Sequence, residues 1–81
     1  MYELVTMTEE DLQIRSSYLR KIASDKKISF GWEDRDSHFE LFIEEESGIR
    51  ILDEIVLASG VPTTERTHRF YDIIEIELEK Y

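Results

Sequence analysis

Two histidines and a large surplus of carboxylates are the residues of this chain that could do chemistry. One histidine and several of the acids crowd one stretch, Asp34-Arg35-Asp36-Ser37-His38, with Glu40 and Glu45 just beyond. Read as a calcium loop, Asp34, Asp36 and Glu45 take the first, third and twelfth places, and Leu41 the apolar eighth. Phe39 then stands where the sharp turn demands glycine, and His38 where an oxygen ligand belongs, so the motif fails. His38 with Glu40 and Asp36, or His68 with Asp72, are donors suited to a transition metal. Neither set supplies three convergent ligands without a distant residue. With no cysteine there is no thiol nucleophile, zinc knuckle or disulfide. No nucleophile-elbow pattern surrounds a serine, and Gly31, Gly48 and Gly60 are too scattered to cradle a phosphate. A glycosidase-type acid needs a pocket that raises its pKa, and so short a chain has little depth for one. The expectation is a protein without catalytic residues, cofactor or resident metal.

The elements that must position these side chains belong to one small α+β domain spanning residues 1–81. Of the chain, 41% is hydrophobic and 36% charged, which excludes a disordered tail. The longest apolar run, Ile55-Val56-Leu57-Ala58, is far short of the ~20 residues of a membrane span. The opening Met-Tyr-Glu-Leu-Val-Thr-Met-Thr lacks the pattern of a secretory signal, so a cytoplasmic location is expected. Residues 8–26 read as a helix, with Thr8 as N-cap, Asp11 completing a weak capping box, and Met7 and Leu12 as a hydrophobic staple. Its apolar side carries Leu12, Tyr18, Leu19, Ile22 and Ala23. Arg15 falls inside that stripe, as a snorkelling stem with its head at the helix edge, as a pair with Asp11 one turn earlier, or as a cation aimed at an acidic sheet or partner.

Ile28, Phe30 and Trp32, then Phe39, Leu41 and Ile43, alternate with mostly polar residues as two strands of a hairpin, joined by Asp34-Arg35-Asp36-Ser37. Residues 47–60 read as a helix on the spacing of Ile49, Leu52, Ile55, Val56 and Ser59, with Gly60 and Pro62 as a stop; the alternative is another strand. Residues 60–69 read as a polar loop with Arg66, His68 and Arg69. That basic patch is either an anion site or an offset to nearby carboxylates. Residues 71–80 read as a strand on the alternation of Ile74, Ile76 and Leu78 with Glu75, Glu77 and Glu79. With a strand at residues 2–6 the order is β-α-β-β-α-β, that of the ferredoxin-like fold. If residues 47–60 are extended, the alternative is one helix on a curled antiparallel meander.

Charge placement carries most of the functional signal. The net charge is −9, and residues 33–54 alone hold nine acids against Arg35 and Arg50. A protein that binds nucleic acid by neutralising phosphates is excluded by that sign. On one strand His38, Glu40, Phe42, Glu44 and Glu46 would face outward, and on the other Ile73, Glu75, Glu77 and Glu79. Alternate residues lie ~6.6 Å apart, so each strand would present a row of carboxylates, a loose imitation of phosphates. Phe42, Ile73, Tyr71 and Tyr81 would dot this face with the apolar groups that concentrate interface affinity.

The expected function is therefore a non-enzymatic inhibitor that covers the basic surface of a larger protein, a nuclease being one such target. Immunity proteins, antitoxins and blockers of restriction or CRISPR nucleases offer an analogy of size and charge. The alternative is a small assembly module forming a homodimer or larger oligomer. Neither reading involves direct contact with nucleic acid or membrane.

Overall fold

The structure, a computed structural model, describes residues 8–81. The strand expected over residues 2–6 and the Met7 staple lie outside the described residues. The first described residue already fixes a helix start. Thr8 has extended backbone, its hydroxyl accepts from the Asp11 amide at 3.1 Å, and the Asp11 carboxylate accepts from the Thr8 amide at 3.3 Å. This capping box satisfies two donors that a helix end otherwise leaves unpaired. Helix α1 runs Glu9–Asp25 and buries Leu19 and Ala23. Tyr18, expected on the inner side, is exposed together with Ile14, because it stands at the margin of the stripe.

Lys27, at φ 58°, turns the chain into a three-stranded antiparallel sheet of order β1-β2-β3, comprising β1 (Ser29–Asp34), β2 (Phe39–Glu45) and β3 (Gly48–Ile55). The β1–β2 hairpin is as expected. Its loop closes with the Arg35 amide on the His38 carbonyl at 2.8 Å and the Asp36 amide on Asp34 Oδ1 at 3.1 Å. Asp36 takes a left-handed φ of 62°, which its short polar side chain tolerates.

Residues 47–60 do not form the expected helix. Glu46 and Ser47 make a tight turn, Gly48 follows at φ +134°, and β3 pairs along the whole of β2. The register shifts at Leu41/Phe42, where β3 carries one extra residue. The bulge restarts the alternation, so Leu52 and Ile55, three apart, both pack on the core. A three-residue apolar spacing that imitates a helix thus arises from a bulged strand.

The C-terminal segment departs the other way. Residues 71–80 are not a strand but part of helix α2 (Thr63–Leu78), which also absorbs most of the expected loop at residues 60–69. Phe70, Tyr71, Ile74 and Leu78 share one helical face and are all buried, whereas Ile76 is 60% exposed. Helical packing inters four large side chains where a strand would have used alternate ones, and each such burial is worth about 1.5–3 kcal/mol. The described chain is therefore α-β-β-β-α. It is α+β as expected, but its order is not the ferredoxin-like one. The meander alternative is right about the sheet and one helix short.

Both helices pack on one side of the sheet, where Leu19, Ala23, Phe30, Leu41, Ile43, Phe70, Tyr71, Ile74 and Leu78 form the core. Phe70 lies at its centre, with ring centroids 5.2 Å from Trp32 and 5.3 Å from Phe39. Arg15 joins the helices across the top of this core. It reaches Asp72 at 2.7 Å, Glu75 at 2.9 Å and His68 Nδ1 at 2.8 Å. A guanidinium only donates, so Nδ1 of His68 accepts and its proton sits on Nε2, facing Asp72 at 3.9 Å. Burial works against the Arg15 charge, but its bonds to Asp72 and Glu75 outweigh it, and the guanidinium is held more firmly protonated than usual. No helix among the described residues is long and apolar enough to cross a membrane.

Candidate protein-binding face

With both helices on one side, the other side of the sheet is left open among the described residues. Strand pairing orders it into three cross-strand rows: Glu33–Glu40–Glu54, Gly31–Phe42–Ile51 and Ser29–Glu44–Ile49. The face is acidic at one end, apolar in the middle and mixed at the other. The middle row rests on a glycine. A Cβ on Gly31 would lie 3.0 Å from Cζ of Phe42, so the ring covers the β1 backbone, an approach that no larger residue permits without displacement. Ile51 is 46% exposed and Ile49 62%, both on an edge strand. Phe42, Ile49 and Ile51 thus make an apolar centre flanked by Glu40, Glu44 and Glu54.

The electrostatics of the acidic row are incomplete. Like charges directly opposite on neighbouring strands destabilise one another. Arg35 relieves part of this, reaching Glu33 at 2.8 Å and Glu40 at 3.5 Å. Beside Glu54 lies the His38 imidazole, with Nε2 4.0 Å from Glu54 Oε1. His38, Glu40 and Glu54 gather at this corner as a set of donors that could hold a metal. In the mixed row the Ser29 hydroxyl donates to Glu44 at 3.3 Å.

Only part of the surface expected from the sequence is assembled here. Glu40, Phe42 and Glu44 lie on the open face, and Glu46 stands in the turn at its end. Ile73, Glu75, Glu77 and Glu79 do not join them, because α2 carries them across the core. Ile73 packs against the core, Glu75 is engaged by Arg15, and Glu79 caps α2 at its C-terminus. Glu77 belongs to a clamp in which Arg50 donates to Glu77 at 2.8 Å, to Glu45 at 3.2 Å and to the Tyr81 hydroxyl at 3.0 Å, while that hydroxyl donates to Glu45. The Tyr81 hydroxyl and Arg50 hold the Glu45 carboxyl below its usual range, and Arg50 and Lys80 do the same for Glu77. The bond to Glu45 pushes the Tyr81 phenol up. Among the described residues no second row of carboxylates in strand register exists to imitate a phosphate backbone.

The basic patch is also consumed internally. Arg66 stacks over the Phe39 ring at 4.6 Å, Arg69 pairs with Glu65 at 2.9 Å and His68 accepts from Arg15. Sequence reasoning missed Ile49, Ile51 and Glu54. Alternation of Ile49 with Ile51 after a glycine turn was the available signal, overridden by the helical spacing of Ile49, Leu52 and Ile55. Neither a protein-family model, nor a curated protein, nor a solved structure matches this chain.

Proposed function

We propose that the chain is a non-catalytic binding protein that docks the open face of its sheet on a larger protein, covering a basic-rimmed surface there. One observation carries this reading: Phe42, Ile49 and Ile51 stand together on the side away from both helices, with carboxylates on the flanking positions. An apolar centre supplies affinity by burial, and a charged rim steers the encounter and selects partners of opposite sign. A second copy of the chain fits this face less well, since it would bring two acidic rims together in a protein of net charge −9.

The test is capture from lysate at low salt followed by a salt step, comparing the native chain with three variants. Ile51→Asp places a charge in the apolar centre, Glu44→Lys reverses the rim, and Ile76→Asp alters an exposed isoleucine on α2. The expected result is one stoichiometric basic partner, lost with Ile51→Asp, weakened by Glu44→Lys and kept by Ile76→Asp. Displacement of that partner by DNA would mark its covered surface as a nucleic-acid site. A partner held as well by Ile51→Asp, or a native dimer that Ile51→Asp turns into monomer, would overturn the reading.

A further inference from the structure

The corner where the acidic row meets the β1–β2 turn has an unsolved hydrogen-bonding problem. Nε2 of His38 is shut off from solvent and has no hydrogen-bond partner among the described residues. Buried polar atoms without partners are rare, and each calls for an explanation, an ion among them. The ring is oriented by Nδ1, which lies 3.0 Å from the Ser37 hydroxyl, and the His38 backbone is tied to the Arg35 amide at 2.8 Å. Across the sheet, Glu40 and Glu54 are direct cross-strand partners, two carboxylates on the same face. One donor atom from each of His38, Glu40 and Glu54 lies within 4.8 Å of the others.

We infer that His38, Glu40 and Glu54 form a binding site for a divalent first-row transition ion, with Zn2+ as its representative. The donor set favours that class, since imidazole suits such ions while calcium and magnesium take oxygen ligands. A tetrahedral ion with bonds of about 2.0–2.2 Å needs its donors about 3.3–3.6 Å apart. The donors have to draw in from their present spacing, and Glu54, whose side chain is 65% exposed, has the most room to turn. The ion would give Nε2 its missing partner and replace the repulsion between Glu40 and Glu54 with a shared cation. Ser37 would act on Nδ1 as the outer-shell group that holds the ring in place. Arg35 keeps Glu33 and one side of Glu40 in charge balance. Three protein ligands leave a fourth position for water or for a donor from outside.

The sequence offered His38 and Glu40 with Asp36 as a third ligand. Pairing of β3 against β2 brings Glu54 instead, fourteen residues beyond Glu40.

The experiment is a calorimetric titration of the full chain with Zn2+ alone, repeated on His38→Asn, Glu54→Gln and Ser37→Ala. Long-range imidazole nitrogen NMR runs alongside, and metal-free denaturant midpoints confirm that each variant folds. One ion per chain is expected, with tenfold or greater weakening in His38→Asn and in Glu54→Gln and a smaller loss in Ser37→Ala. In the spectra His38 shifts and His68, held by Arg15, does not. Excess Ca2+ should leave the Zn2+ in place. The absence of a saturable event, native affinity in both His38→Asn and Glu54→Gln, or displacement by Ca2+ would each overturn the site. His38 and Glu54 would then be neighbours only. None of these outcomes depends on a protein partner.

Discussion

The hairpin of β2 and β3 carries carboxylates at both ends, and the two ends treat them differently. At the turn end, Glu45 and Glu77 converge on Arg50, with Tyr81 closing the group, so the acids are spent on joining α2 to the sheet. At the far end, Glu33, Glu40 and Glu54 stand in one row, and Arg35 reaches only the first two. At the turn end Glu45 and Glu77 are taken up in a structural clamp, while Glu44 and Glu46 stay exposed beside it. The far end keeps its charge facing outward, beside an imidazole with an orphaned nitrogen. A count of acids therefore misjudges the surface, because what matters is whether the fold brings a cation to each one.

Three changes probe this contrast. The largest effect comes from the core on which both ends hang. Leu41 is 0% exposed in mid-β2 beside the bulge, and Leu41→Ala should lower unfolding free energy by about 2–5 kcal/mol, read from the denaturant midpoint. A smaller loss would mean that the ends hold the sheet independently of its centre.

Arg50→Gln should act next most strongly, and with a particular pH dependence. Because Glu45 and Glu77 titrate below their usual range in the folded chain, their contribution is full above the ordinary value of about 4.3 and is lost as pH falls through the lowered ones. The native midpoint should fall on acidification over that window. Arg50→Gln should start lower at pH 7 and fall less. A parallel acid limb in both proteins would remove the clamp from the account. At the alkaline end the sign reverses: the raised Tyr81 phenol contributes fully below about 10 and loses that contribution as pH rises through its folded value.

The smallest effect should have the opposite sign. Glu54→Gln removes a like charge opposite Glu40, and without metal it should stabilise the fold by about 0.2–1 kcal/mol at low salt. The gain should shrink at high salt. A loss of stability instead would show that the far end, too, is a satisfied network.

Much of the local structure was legible along the chain. The Thr8/Asp11 box, the first hairpin and its polar turn need only neighbouring residues, and they formed as read. The expected site was half legible. Glu40, Phe42 and Glu44 share a face because alternation on an isolated strand is enough to place them. Glu75 and Glu77 were misplaced because the run from Ile73 to Glu79 fits a period of two on paper, while Phe70 and Tyr71 just before it favour a helix only once a core exists to receive them. Ile49 and Ile51 were missed because the bulge, a feature of pairing with β2, disguises their strand as a helix.

The sequence by itself determined that this is a small, acidic, cysteine-free α+β chain, where its first helix begins and where its first hairpin turns. These follow from composition, capping and period, which act over a few residues. Tertiary structure alone decided that the last segment is a helix, that Arg15 takes up Asp72 and Glu75 and Arg50 takes up Glu77, and that Glu54 comes to His38 and Glu40. Each of these depends on which surfaces are buried together, and burial is settled between elements rather than within them.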